Sequence, residues 1–207
     1  MKLSPEHIAR IKEKIKFRRV YYSDIQSELT DHIACKIEDE LKSEQEFELV
    51  LQKVVKEVNP KKFQTQLLLQ THANSFREFF GNFGNIRVMV KTMAITFVVG
   101  SFINLFSKNT PEFAEAVLKS AFIIASYSGF ILGLWKNKYL NNARVLTSAN
   151  VLFLVASFSQ FVLRLEWLTW TGANTQQLLF FMTACFSFIL CSGYRNLFRQ
   201  FRKFHWQ

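Results

Sequence analysis

The residues of this chain best suited to acid–base chemistry lie together at Glu28-Leu29-Thr30-Asp31-His32. On a helix, Glu28 and His32 share one face a single turn apart, and Asp31 lies beside them. Two carboxylates and an imidazole are groups from which general acid–base or metal sites are built. The other three histidines are isolated in the sequence, so the pattern favours a structural ion pair with His32 at the edge of a core. We therefore take Glu28, Asp31 and His32 as candidates for contact with a protein partner.

Other catalytic signatures are missing from the sequence. It contains no pair of nucleophile and base at a recognisable spacing, no cluster of metal ligands and no glycine-rich phosphate loop. Its three cysteines form no C-x-x-C motif, which argues against a zinc site or a disulfide. We expect no catalytic residue, no metal and no cofactor, and we expect that the protein is not an enzyme.

The N-terminal part of the chain has the spacing of short amphipathic helices. Ser4-Pro5-Glu6 predicts the start of a helix over 5–17, and Ser23 with Gln26 predicts a capping box at the start of the next. Apolar residues then recur every four positions. They are Ile25, Leu29, Ile33, Ile37 and Leu41. Further helices are predicted after Ser43 and after Asn59-Pro60, which makes residues 1–72 a three- to four-helix module.

The motif within this module resembles the HAAS family. The residues that carry the resemblance are Ile25, Glu28-Leu29, Asp31-His32-Ile33, Ile37-Glu38 and Glu46-Phe47, followed by a valine-rich helix. The similarity covers about residues 5–70. Members of that family are short helical modules in bacterial membrane proteins, often encoded beside PadR-like regulators. The resemblance implies a bacterial protein with a signalling or regulatory role.

The second half of the chain is apolar enough to cross a membrane. A spanning helix needs about 20 mostly apolar residues, and soluble helices keep a polar stripe that two of these stretches lack. The predicted spans are 88–106, 116–135, 145–162 and 177–194. The fold class expected is therefore all-α, with a small N-terminal helical bundle followed by a four-helix transmembrane bundle.

The positions of basic residues predict the orientation. The whole chain carries a formal net charge of +10, and its basic residues outside the N-terminal module gather before the first span, between the second and third, and after the fourth. Basic residues flank the cytoplasmic ends of spans. The many basic residues within 2–19 do not fit a secretory signal, so we expect the module to stay on the side where it is made. We expect an integral protein of the bacterial inner membrane with the N- and C-termini in the cytoplasm.

Two amphipathic segments flank the predicted spans. Residues 73–87 place Phe76, Phe79, Phe80 and Phe83 on one helical face and predict an interfacial elbow, with Gly81 and Gly84 allowing the turn. The tail 195–207 has an apolar face opposite a basic one. The basic residues predicted to hold anionic headgroups are Arg195, Arg199, Arg202 and Lys203. A tail this close to the bilayer meets lipid first, so we expect no direct binding of nucleic acid.

A row of small residues and two lysines stand out within the spans. Ala121, Ala125, Gly129 and Gly133 recur every fourth position, which predicts close packing against a helix of the same chain or of a second copy, as in a homodimer. Lys91 and Lys119 lie near span ends. We expect both to snorkel to the interface, without an acidic partner at the same depth.

Two functions are compatible with this organisation. The first is a membrane-anchored regulatory or scaffolding protein whose cytoplasmic module binds a protein partner such as a transcription regulator. The alternative is a small transporter or channel subunit. Its lumen would be lined by the few polar residues of the spans: Asn104, Ser126, Ser128, Asn150 and Gln160.

Overall fold

The computed structural model describes residues 2–41, 43, 46–107, 110–135, 141–168 and 172–205. The regular structure in these ranges is helical, with no strand, so the predicted all-α class is confirmed for them. The helices are α1 (Pro5–Phe17), α2 (Ser23–Glu40), α3 (Phe47–Val58), α4 (Pro60–Gly81), α5 (Ile86–Ser107), α6 (Pro111–Trp135), α7 (Ala143–Val162), α8 (Leu165–Leu168) and α9 (Thr175–His205). A 3-10 turn at Asn82–Gly84 lies between α4 and α5.

The chain divides into two compact units. The first comprises Met1–Ala73 with Asn137–Leu146, and the second comprises Asn74–Lys136 with Thr147–Gln207. The core of the first unit contains the five residues of the predicted α2 stripe, each at most 6% exposed. They pack with side chains from α1, α3 and the start of α7, which are Ile11, Ile15, Phe47, Leu51, Val54, Val55 and Ala143.

Of the caps predicted at Ser4 and Ser23, the first is confirmed and the second is wrong, although α2 begins at Ser23 as predicted. Ser4 caps α1, because its Oγ accepts from the His7 N–H at 3.3 Å while His7 Nδ1 accepts from the Ser4 N–H at 3.4 Å. Ser23 forms no capping box. Its N–H and its hydroxyl both donate to the Asn141 carbonyl, at 2.7 and 3.0 Å, and Gln26 Nε2 donates to the Val20 carbonyl. The Ser23 N–H thus donates to the distant Asn141 carbonyl and not to the Gln26 side chain, as a capping box requires.

Three described helices are long and apolar enough to cross a membrane, where the sequence predicted four, and all but the start of α7 lies in the second unit. They cover Ile86–Leu105, Ala143–Val162 and Thr175–Lys203. The predicted span 116–135 lies in α6, which begins at Pro111 and carries Glu112, Glu115 and Lys119 in its first turns. With these three charges near its start, α6 is not among the three helices.

The central helix of the second unit is α9. In its apolar stretch 56% of the residues are buried, against 28% in α5 and 33% in α7. It contacts α5, α6 and α8, and Leu152 of α7 touches it at Gly193. The core around it includes Phe122, Leu152, Leu179, Met182 and Phe186.

The outer surface of the second unit is unusually apolar. Large hydrophobic side chains of α5, α6 and α7 are between 40% and 77% exposed, a pattern that water disfavours and lipid accommodates. They include Val90, Met93, Phe97, Val98, Phe102, Leu105, Ile124, Ile131, Leu154, Phe158 and Phe161.

Close helix packing occurs at two described glycines outside the predicted row of small residues. A Cβ added at Gly193 would lie 2.3 Å from Leu152 Cδ1 and 3.1 Å from Leu152 Cβ, and one at Gly100 would lie 2.7 Å from the Phe180 ring. In the predicted row, Ala121 is exposed and Ala125 is half-buried. Gly129 and Gly133 lie outside the residues whose surroundings the structure describes. A second copy packed on this row stays a prediction.

Substitution Gly193→Ala is expected to destabilise the second unit. The tip of Leu152 can rotate away from the new methyl group, but its Cβ moves only with the α7 backbone, so we expect a loss of about 1–3 kcal/mol. The apparent melting temperature of the full chain in detergent should fall by roughly 2–10 °C. The matched control is Gly81→Ala, because Gly81 has helical dihedral angles (φ −59°) and no atom within 4 Å of the added Cβ. An equal change in both variants would contradict the packing argument.

Candidate functional site

The acidic face of α2 contacts the start of α7 within the first unit. The Asp24 carboxylate accepts from the Ala143 N–H at 2.9 Å and from the Arg144 N–H at 3.3 Å. Asn142 Oδ1 accepts from the Arg144 and Val145 N–H groups, both at 3.1 Å. Free N–H groups at a helix start favour a carboxylate. Asp24 is therefore a structural residue, which the sequence analysis did not identify.

Of the three candidate partner residues, two have contacts inside the first unit. Glu28 Oε2 lies 3.7 Å from an Arg144 guanidinium nitrogen, one turn along α2 from Asp24. The His32 ring stacks on Phe63 of α4, with ring centroids 5.7 Å apart. All three side chains are exposed, and Asp31 lies beside the other two on α2. The structure therefore brings the trio to one surface without forming a catalytic arrangement.

Two further ion pairs lie on the surface of the first unit. Arg10 pairs with Glu48 and Lys53 with Glu40, each at 2.9 Å. The Lys53 ammonium donates a hydrogen bond to Glu40, and that carboxylate raises the pKa of Lys53. Exposed pairs of this kind contribute little to stability, so we assign them no binding role.

The end of α4 and the 3-10 turn are joined to α9 by a buried polar network. Asn82 Nδ2 donates to Ser192 Oγ at 2.9 Å and to Asn196 Oδ1 at 3.1 Å, and Ser192 Oγ donates to the Phe79 carbonyl at 2.7 Å. Phe79 is 1% exposed, whereas Phe80 and Phe83 are 52% and 59% exposed. The predicted elbow thus packs partly against α9 of the same chain. Only part of its aromatic face is exposed on the surface.

Lys119 has the acidic partner that the sequence analysis did not expect. Its Nζ lies 2.5 Å from Glu115 Oε1, one turn earlier on α6, and both side chains are about four-fifths buried. Glu115 also accepts from the Leu165 N–H at 3.4 Å. The prediction was wrong because Glu115 was placed in a loop, whereas α6 already includes it. An ion pair lowers the cost of placing the lysine beside lipid.

The basic residues of the tail lie on the last turns of α9. The predicted span 177–194 and most of the tail form a single helix of 31 residues, about 46 Å long, which exceeds the thickness of a hydrocarbon core of about 30 Å. Arg195 donates to Asn85 Oδ1, and an Arg199 guanidinium nitrogen lies 3.8 Å from Glu78 Oε1. Arg202 and Lys203 are exposed on the same helix.

The described residues show no group of three or more His, Cys, Asp or Glu side chains placed to hold a metal ion. Cys35, Cys185 and Cys191 are free thiols. The expectations that the chain binds no cofactor and is not an enzyme stay predictions.

Substitution Asp24→Ala is expected to loosen the start of α7. Loss of a helix cap costs about 1 kcal/mol, so the Ala143 and Arg144 amides should exchange with deuterium roughly fivefold faster. Hydrogen exchange of the full chain, read by mass spectrometry over residues 141–147, measures this change. Asp39→Ala is the matched control, since Asp39 is exposed on the same helix and its loss changes the charge equally. Unchanged exchange in Asp24→Ala would show that the cap is unimportant.

Comparison with known proteins gives no further identification. No protein family, curated protein or solved structure matches this chain. The resemblance of residues 5–70 to the HAAS family stays a prediction, and function has to be argued from the two units themselves.

Proposed function

We propose that the protein is an integral membrane regulatory or scaffolding protein whose N-terminal helical unit binds a protein partner in the cytoplasm. The observation that carries the proposal is the contrast between the two units. The first unit closes its own core and leaves charged residues on its surface. The second exposes large apolar side chains along helices of membrane-spanning length. A membrane anchor joined to a charged helical domain is suited to holding a partner at the membrane surface.

The partner surface proposed is the outer side of α2 around Asp31. Glu28, 3.7 Å from Arg144, and His32, stacked on Phe63, lie beside it. All three side chains are exposed and therefore accessible to a partner. The resemblance to the HAAS family suggests a transcription regulator as the partner.

Little supports a transporter. Ser126 Oγ donates to the Phe122 carbonyl and Ser128 Oγ to the Ala125 carbonyl, so both hydroxyls bond within α6. Gln160 Nε2 donates to the Lys119 carbonyl at 3.4 Å. These three candidate lumen residues have hydrogen-bond partners within the protein, which gives a polar lumen no support.

Four crossings are proposed, with α6 as the fourth. Phe113, Val117, Ile124 and Ile131 are exposed on α6 as on its neighbours, and the Lys119–Glu115 pair neutralises two of its charges. An even number of crossings puts both termini on the same side of the membrane. The basic residues near α5, α7 and the end of α9 support the cytoplasmic side of a bacterial inner membrane.

The topology is tested with single cysteines in a chain whose native cysteines are replaced by serine. In intact cells, a membrane-impermeant maleimide should label Glu112→Cys but not Asn141→Cys, because the two ends of α6 then lie on opposite sides. A chain that retains Cys35 alone, which is exposed in the first unit, should be labelled only after the membrane is opened. Labelling of positions 112 and 141 from the same side would contradict a crossing by α6.

The partner is tested with a photo-crosslinking amino acid at position 31 of the full chain in living cells. Because residues 137–146 belong to the first unit, a fragment that ends near residue 72 would be an incomplete bait. We expect one soluble protein to be crosslinked at position 31, identified by mass spectrometry. The control is the same amino acid at position 56, exposed on α3. No adduct at position 31, or equal adducts at both positions, would count against this surface.

A further inference from the structure

An open groove lies in the second unit between the start of α5 and the last turns of α9. Its volume is about 790 Å³. Six cationic side chains line it, and no acidic residue is among the described residues that do so. They are Arg87, Lys91, Arg195, Arg199, Arg202 and Lys203. Such a concentration of like charge is unfavourable unless an anion neutralises it.

The surrounding protein neutralises only part of this charge. Asn85 accepts a hydrogen bond from Arg195 but carries no charge, and Glu78 lies 3.8 Å from Arg199. Arg87 and Lys91, both exposed on α5, follow one another at a spacing of one helical turn. The two side chains therefore present donors to the same side of the groove.

The lining of the groove changes from apolar at one end to basic at the other. Ile95 and Leu190 lie toward the apolar middle of α5 and α9, whereas Arg202 and Lys203 lie near the end of α9. Val88 and Phe198 lie between these two ends. A free phosphate or a nucleotide would engage the cations and leave the apolar end unused. A phospholipid has the same order of parts, with an anionic headgroup followed by acyl chains.

We infer that this groove is a binding site for an anionic phospholipid. Its phosphate is held by Arg87, Lys91 and Arg195, and an acyl chain lies along Ile95 and Leu190. Guanidinium groups donate paired hydrogen bonds to phosphate oxygens, and basic pockets between membrane helices bind anionic headgroups. The site differs from a basic tail lying on the bilayer, because α5 contributes two of the cations and the groove accepts one lipid.

This inference rests on the proposed membrane insertion, and the two can fail separately. If the topology experiment finds positions 35 and 112 on the same side, α5 does not cross the membrane and the proposed function fails. If the two positions lie on opposite sides and no lipid preference is found, only the lipid site fails.

The test is native mass spectrometry of the full-length protein in detergent, titrated with phosphatidylglycerol or with phosphatidylcholine carrying the same acyl chains. We expect one molecule of phosphatidylglycerol to bind at least tenfold more tightly than phosphatidylcholine. The double variant Arg87→Gln with Lys91→Gln should lose about tenfold in affinity for phosphatidylglycerol. The charge-preserving variant Arg87→Lys with Lys91→Arg should retain most of it.

The matched control is Lys61→Gln with Lys62→Gln, which removes the same charge from residues that do not line the groove and should leave binding unchanged. Melting temperatures of all variants, measured beside the titrations, verify that each is folded. Equal binding of the two lipids by the native chain would overturn the inference, as would equal losses in the groove and control variants. Competition by inorganic phosphate as effective as that by lipid, or tighter binding of a short single-stranded oligonucleotide through the same cations, would also overturn it.

Discussion

The second unit depends on the packing of its other helices around α9. This helix carries side chains that are almost completely buried, among them Leu179, Met182 and Phe186, and the neighbouring helices leave their outward faces apolar. In lipid, burial of apolar groups against other apolar groups yields little, so close contact and internal hydrogen bonds have to hold the helices together. Close contact and internal hydrogen bonds occur at adjacent residues of α9. Leu152 packs against Gly193, and the neighbouring Ser192 forms hydrogen bonds with Asn82 and the Phe79 carbonyl.

How far the sequence predicts the fold depends on whether the determining contacts are local. The spacing of Ile25, Leu29 and Ile33 fixes which face of α2 is buried, because helical geometry repeats within a few residues. The cap at Ser4 is likewise completed by His7, three residues away. At Ser23 the local pattern is the same, but the Asn141 carbonyl, more than a hundred residues later, takes both of its donors. Helical spacing repeats over a few residues only, so it does not identify a hydrogen-bond acceptor so far along the chain.

The candidate sites show the same division between local and distant determinants. The basic face of α9 can be read from the spacing of Arg195, Arg199 and Arg202. The pairing of Lys119 with Glu115 could also have been read, since the two are four residues apart. It was missed because an estimated span boundary separated them, and boundaries are the least reliable part of such predictions. The approach of Leu152 to Gly193 and the convergence of Arg87 and Arg195 on one groove depend on the order of helices in the bundle, which periodicity does not specify.

The contacts that hold α9 also determine which cations remain available in the groove. Asn85, just before α5, accepts a hydrogen bond from Arg195, and Glu78, near the end of α4, lies 3.8 Å from Arg199. Arg87, Lys91, Arg202 and Lys203 lie farther along the same groove. A phosphate that reaches Arg195 therefore competes with a neutral amide, whereas at Arg199 it competes with a carboxylate. Displacing a carboxylate from a guanidinium is harder than displacing an amide. The headgroup of the proposed lipid should therefore be held on the α5 side of the groove, by the positive charges of Arg87 and Lys91.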